Sequence, residues 1–194
     1  MEQPANIQTR NLKPTDYLDL KKTMQEAYAD IDGLHWKEHQ IDRLLQVFPE
    51  GQICVEVDGR VVASALSLIV DYDKFSDHHT YEQITGNYSF DTHDPDGDVL
   101  YGIDVFVHPE YRGLRLGRRL YEVRKELCEN LNLRAIMAGG RIPNYAKYAD
   151  SLKPREYIEK VRMKEIHDPT LSFQLSNDFP VKEGYSISRP IFNR

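Results

Sequence analysis

The chain has 194 residues, the size of one large domain, and its 40% apolar and 29% charged residues describe an ordinary globular protein. With 25 Lys and Arg against 31 Asp and Glu, the net charge of −6 argues against a general binder of nucleic acid or anionic membrane. Two cysteines, Cys54 and Cys128, exclude a disulfide framework and a four-cysteine zinc site.

The opening MEQPANIQTR lacks the apolar core of a signal peptide, and the longest apolar run, 61–70, falls far short of the roughly 20 residues of a membrane helix. Cytoplasm is the expected location. Residues 6–12 read as a weak first strand. Pro14, Thr15 and Asp16 punctuate, and Leu20, Met24, Ala27 and Tyr28 then fall at helical spacing. A second helix carries Ile41, Leu44, Leu45 and Phe48 on one face and stops at Pro49 and Gly51. From residue 52 the period changes to two: Ile53, Val55 and Val57 alternate, Asp58-Gly59 signals a hairpin, and 61–70 returns as a strand.

Residues 71–98 hold eight acids (Asp71, Asp73, Asp77, Glu82, Asp91, Asp94, Asp96, Asp98) against the single Lys74. They read as a long surface excursion, and such excursions are usually functional or disordered. A strand over 99–107 follows, ended by Pro109. Leu116, Leu120, Val123, Leu127 and Leu131 define the most regular helix of the chain. Residues 133–138 read as a strand closed by Gly139-Gly140. A second excursion spans 141–168, with a charged helix near 155–164, a helical turn or two over 169–176 and a last strand over 179–187. Hairpin-connected strands with interspersed helices indicate a mixed sheet of the α/β (α+β) class.

Chemistry concentrates in one loop, His108-Pro109-Glu110-Tyr111-Arg112-Gly113-Leu114-Arg115-Leu116-Gly117-Arg118-Arg119. Gly113 permits a tight turn, and Gly117 permits close approach at a helix start. Arg115, Arg118 and Arg119 face the positive end of the helix dipole, which costs roughly 0.3–1 kcal/mol each. A bound phosphate or pyrophosphate removes that conflict.

Arg112-Gly113-Leu114-Arg115-Leu116-Gly117, after a strand ending Val105-Phe106-Val107-His108-Pro109, resembles the coenzyme A loop of GCN5-related N-acetyltransferases (GNAT). That pattern is Gln or Arg, two residues, Gly, one residue, Gly or Ala; Arg112 and Gly117 match, and Arg115 stands at the middle glycine. The resemblance covers residues 6 to about 187 and implies a single GNAT domain over 1–194, with a mixed, mostly antiparallel sheet flanked by helices. Gly139-Gly140-Arg141-Ile142-Pro143-Asn144-Tyr145-Ala146-Lys147-Tyr148 and Asp168-Pro169-Thr170-Leu171-Ser172-Phe173-Gln174-Leu175 further resemble the acetyltransferase half of bacterial proteins that fuse this domain to a carbon–nitrogen hydrolase. A free-standing relative or a fragment, with a hydrolase domain or partner, is what this second likeness implies.

By the same resemblance, acetyl-CoA is the cosubstrate, no metal is needed, and a small-molecule or peptide amine attacks the thioester directly. The pantetheine would pair with Val105, Phe106 and Val107, and the pyrophosphate would lie on the amides of Arg112, Gly113, Leu114, Arg115, Leu116, Gly117 and Arg118. A backbone N–H near Phe106 would polarise the carbonyl. Asp98, Tyr101 and Asp104 stand on the strand that carries the family's base, with Tyr101 nearest its position. Where many members have a late tyrosine acid, this chain has Gln174 after Phe173, so Tyr145 or Tyr148 would substitute, or water would protonate the thiolate. The missing tyrosine also fits a non-catalytic acyl-CoA-binding sensor or partner module.

Other motifs point elsewhere more weakly. His35-Trp36-Lys37-Glu38-His39 matches H-x-x-E-H, a zinc-protease pattern, without an evident third ligand. His78, His79 and His93 lack ligand spacing and read as part of a solvated acidic loop. Cys54 and Cys128 read as buried small hydrophobes. If the 71–98 excursion walls the acceptor side, its acids would favour cationic amines.

Overall fold

Five strands form one sheet in chain order: β1 (Ile7–Asn11), β2 (Ile53–Val57), β3 (Arg60–Val70), β4 (Val99–Val107) and β5 (Ala135–Ala138). The first four pair antiparallel, whereas β4 and β5 are parallel. A parallel pair needs a crossover, and helix α4 (Leu116–Asn130) supplies it. The Asp58-Gly59 hairpin forms as expected, both residues taking positive φ (49° and 82°), as a tight two-residue turn requires. The computed structural model describes residues 5–29, 35–75 and 79–182, which fall into two units, Met1–Ala138 and Gly139–Arg194.

In the first unit, helices α1 (Tyr17–Ala27) and α2 (Glu38–Val47) cover one sheet face. Leu20, Met24, Ile41 and Leu44 pack with Leu66, Leu68, Val70, Val99, Tyr101 and Ile103. Helix α4 covers the other face, laying Leu116 and Leu120 against Val55, Ala63 and Ala65. Its stripe is rotated from the one the leucines predict. Leu116, Leu120, Tyr121, Arg124 and Cys128 are buried, while Leu131, at the helix C-cap, is exposed. Contact along the i, i+4 row therefore centres on an arginine.

Between β3 and β4 the register slips at Leu66/Ser67: Leu66 faces Asp104 and Ser67 faces Gly102, so Ile103 is the extra residue of a bulge. A bulge orphans backbone groups, and buried orphans need partners. At the bulge Tyr81 Oη donates to Ile103 O (2.9 Å), while on the β2 side of the same stretch Gln52 takes the N–H of Ser67 and donates to its carbonyl (3.2 and 2.9 Å). Arg124 Nη2 donates to both Leu66 O (2.5 Å) and Asp104 O (2.6 Å).

The described residues of the 71–98 excursion are packed rather than solvated, Asp77 and His78 lying outside them. Tyr72, Ile84 and Phe90 are buried in the α1-side core, around a short helix α3 (Tyr81–Ile84) capped by Thr80. Its acids are largely ion-paired: Asp71 and Asp94 with Lys74, Asp73 and Asp98 with Arg134, and Asp91 with Arg43. His93, read above as part of a solvated loop, stacks on Phe48 (5.1 Å), and its Nδ1 accepts from Ile69 N–H (3.2 Å). In the zinc-like motif, α2 begins only at Glu38, so His35 lies outside the helix and shares no helical face with His39. Among the described residues no group of three His, Cys, Asp or Glu is placed to hold a metal ion. Both cysteines are buried, and burial pushes the Cys54 thiol up to about 12.

The second unit packs α5 (Pro154–Arg162) and α6 (Pro169–Ser176) through Tyr157, Ile158, Val161 and Leu171. Asp168 is fully buried at the α6 N-cap, where its carboxylate accepts from the N–H groups of Thr170, Leu171 and Asn144 and from Tyr157 Oη. Residues 179–182 form no strand, and the rest of the expected last strand lies outside the described residues.

Candidate active site

After β4, the 3-10 turn Pro109–Tyr111 leads into two left-handed residues, Gly113 (φ 96°) and Arg115 (φ 58°), and then into α4. A glycine takes that conformation freely, but at Arg115 it costs on the order of 1 kcal/mol. The result is a concave run of backbone donors. Among the described residues, the N–H groups of Gly113, Arg115, Leu116, Gly117 and Arg118 have no acceptor, and the first helical bond runs from Arg119 N to Arg115 O. Arg118 pairs with Glu122 (2.9 Å), whereas the side chains of Arg112, Arg115 and Arg119 have no such partner among the described residues. Leu114, Arg115, Arg118, Arg119 and Glu122 line a surface depression of about 350 Å³ there. Aligned amides, a helix dipole and unpaired guanidiniums have the chemistry that suits a phosphate or diphosphate.

Next to that helix start the sheet forks. Pairing of β4 with β5 stops at Gly102/Ala138, and β4 continues to Val107 paired with β3 only. His108 N–H donates to Val62 O, and antiparallel alternation repeats this at every second residue. Phe106 N–H therefore faces β3, away from the fork. The N–H groups of Val105 and Val107 face the fork, and Val105 N–H is taken by the Asp104 carboxylate (2.8 Å).

Strict alternation would place Tyr101 and Asp104 on opposite faces; the bulge at Ile103 puts both on the α1 side. The Asp104 carboxylate also accepts from Tyr28 Oη (2.5 Å) and Trp36 Nε1 (3.0 Å). Burial raises its pKa, opposed by those donors and by the nearby Arg124 charge. The Tyr101 hydroxyl lies 3.1 Å from His79 Nε2, whose ring stands edge-on to it. Asp98, the remaining candidate, lies just before β4 and is held by Arg134, its carboxylate also accepting from Tyr72 N–H. Tyr145 belongs to the second unit, where its hydroxyl donates to Leu152 O (3.0 Å).

Comparison with known proteins agrees with this arrangement. The family model described as "Acetyltransferase (GNAT) family" matches residues 18–149. The chain belongs to the GNAT family. An uncharacterized N-acetyltransferase, YkwB of Bacillus subtilis (strain 168), is 37% identical over 168 residues, 86% of this chain and 74% of YkwB. A probable hydrolase of the same organism, YhcX, is 43% identical over 170 residues, 88% of this chain, and the match spans only 33% of YhcX. Among solved structures, the loading GNATL domain of CurA from Lyngbya majuscula superposes with a TM-score of 0.74 at 25% identity, covering 88% of this chain and 83% of that one.

Within this GNAT domain, four groups around the fork went unassigned in the sequence. Trp36 was visible only inside a zinc-like motif, and Tyr28 only as a helix-face residue. His79 sat in a loop read as solvated. Arg124 occupies a position that a leucine stripe reserves for an apolar residue, and that mismatch was the available signal.

Proposed function

We propose that this domain transfers an acetyl group from acetyl-CoA to a primary amine. The observation that carries this reading is the row of unaccepted N–H groups and unpaired arginines at the start of α4, next to a strand edge left open by the fork. In this reading the diphosphate of acetyl-CoA occupies the α4 receptor, and its pantetheine lies along Val105–Val107. Family membership and the likeness to YkwB support it.

The amine attacks the carbonyl carbon, the C–S bond breaks, and the thiolate leaves with the electron pair. The attacking nitrogen must shed a proton. Asp104 suits this poorly, because three donors already occupy most of its roughly four acceptor positions. It acts instead as a fixed anion that orients Tyr28 and Trp36. Tyr101 suits it better: its oxygen takes the amine's proton through one water while its own proton passes to His79 Nε2. Without His79 to take its proton, a phenol is a weak proton acceptor at neutral pH. The thiolate takes its proton from water, since the Tyr145 hydroxyl is engaged within its own unit and Gln174 is no acid.

Gln174 also favours a second reading, a module that binds acyl-CoA without turnover. Thiol release over a panel of small and peptide amines separates the two. Free CoA appears with at least one acceptor under the first reading, and binding alone is seen under the second. The hydrolase-sized remainder of YhcX supports a carbon–nitrogen hydrolase as associated domain or partner.

A further inference from the structure

Arg124 is 2% exposed at the centre of the α4 core stripe, and none of the ion pairs among the described residues includes it. Taking a guanidinium out of water without a paired carboxylate costs several kcal/mol. A leucine would serve packing better. Two of its nitrogens close the β3–β4 bulge: Nε donates to Ser67 Oγ (3.1 Å), and Nη2 donates to the Leu66 and Asp104 carbonyls. Nη1 makes no hydrogen bond among the described residues. It is not fully enclosed either, because the described residues contain no fully buried side-chain nitrogen or oxygen without a partner.

Nη1 lies against Gly102. A Cβ added there would stand 3.1 Å from Nη1 and 3.3 Å from Ala138 Cβ. Gly102 and Ala138 are the last residues paired before the fork opens. Along the helix, Arg124 is eight residues past Leu116, so its backbone stands about 12 Å from the helix start that holds the anion receptor. Two N–H groups near the fork are already committed: Phe106 N–H is turned to β3, and Val105 N–H is held by Asp104.

We infer that Arg124 Nη1 donates to the acyl oxygen of the bound thioester, fixing the carbonyl at the apex of the fork and stabilising the negative charge it gains as the amine attacks. The inference rests on the acetyl-CoA reading above. It assigns Arg124 a catalytic contact with the substrate, made possible by the missing side chain of Gly102.

The test is binding, which does not depend on turnover. Calorimetry compares acetyl-CoA with S-ethyl-CoA, a thioether of similar size without the carbonyl oxygen, on the wild-type chain, Arg124→Met and Arg124→Lys. The wild type should favour acetyl-CoA about tenfold or more, the worth of a charge-assisted hydrogen bond. Both variants should lose that preference while holding S-ethyl-CoA within about twofold of wild type, as expected for a contact to the missing atom only. Should Arg124→Met fail to fold, the infrared band of acetyl-CoA carrying a 13C carbonyl gives a second readout. It should move to lower frequency on binding to wild type and not on binding to Arg124→Lys. Equal binding of the two ligands by wild type, equal weakening of both in the variants, or an unchanged band shift in Arg124→Lys overturns the inference. A wild-type chain that binds neither ligand overturns the acetyl-CoA reading as well.

Discussion

Asp104 and Arg124 meet through the backbone of β4. Arg124 Nη2 donates to the Asp104 carbonyl oxygen at 2.6 Å from the α4 side, while the Asp104 carboxylate turns to Tyr28 and Trp36 on the α1 side. The bulge at Ile103 makes this possible by turning two consecutive stretches of strand to the same face. A positive group and a negative group thus flank the fork from opposite faces of the sheet.

If Tyr101 relays the amine's proton to His79, Tyr101→Phe should lower kcat by about 10²-fold, the lower end for loss of a positioned acid–base group. Binding of acetyl-CoA should stay unchanged, since the hydroxyl points to His79 and not along Val105–Val107. His79→Gln should lower kcat by a similar factor. Steady-state kinetics beside calorimetry decide; a His79→Gln variant with wild-type kcat removes the relay.

The anion receptor should show itself through salt. Arg115→Gln with Arg119→Gln should weaken CoA binding about tenfold or more and flatten its salt dependence, because partly screened charge is removed. Gly117→Val should abolish binding by placing a branched side chain where the diphosphate approaches. Circular dichroism should find all these variants folded. Normal CoA binding by Gly117→Val would remove the diphosphate from this loop.

Much of this architecture was legible in the sequence because it rests on local signals. Asp58-Gly59 fixed the hairpin, and the step of α4 fixed its existence. Gly113 marked the tight turn before α4, and all of these are short-range chemistry. What was not legible depends on contacts far apart in sequence. The bulge at Ile103 has no signature of its own; it exists because Tyr81 and Arg124 arrive from two separate helices to satisfy its carbonyls. Without the bulge, Tyr101 and Asp104 could not be placed on one face.

Stability should fall in mild acid through His93. Its ring is packed on Phe48, and Nδ1 already accepts the Ile69 N–H, so the cation has no room for a second proton there. Desolvation lowers its pKa below the ordinary 6.5, against the pull of Asp94 and Glu50. The unfolded chain therefore binds the proton first. The contribution is fully present above 6.5 and is lost as pH falls through the lower folded value. Urea midpoints across pH 7.5 to 5 should decline in the wild type and decline less in His93→Gln (on the order of the pH window where such groups titrate). Parallel curves would assign the acid sensitivity elsewhere.

In the second unit, Asp168→Ala should be strongly destabilising. It removes an N-cap, worth about 1–2 kcal/mol, and leaves the buried Tyr157 hydroxyl and Asn144 N–H without their acceptor. Hydrogen exchange should show loss of protection over 154–176 and little change in β1–β4. Uniform loss in both units would mean that they unfold as one.

The acidic excursion gives the last test, and here ion pairing changes what composition alone suggests. Eight acids against one lysine imply a strong negative field and a preference for cationic acceptors. In the fold, Lys74 bridges Asp71 and Asp94, and Arg134 bridges Asp73 and Asp98, so much of that charge is compensated within a few ångströms. Asp104, on the strand that borders the fork, is instead an enclosed carboxylate held by Tyr28 and Trp36, with the Arg124 charge nearby but not in an ion pair with it. Replacing Asp94, Asp96 and Asp98 together by Asn should therefore leave the Michaelis constant for a cationic amine nearly unchanged. Asp104→Asn should raise it while leaving acetyl-CoA binding intact. If the triple variant raises the constant and Asp104→Asn does not, the surface field rather than the enclosed carboxylate selects the acceptor.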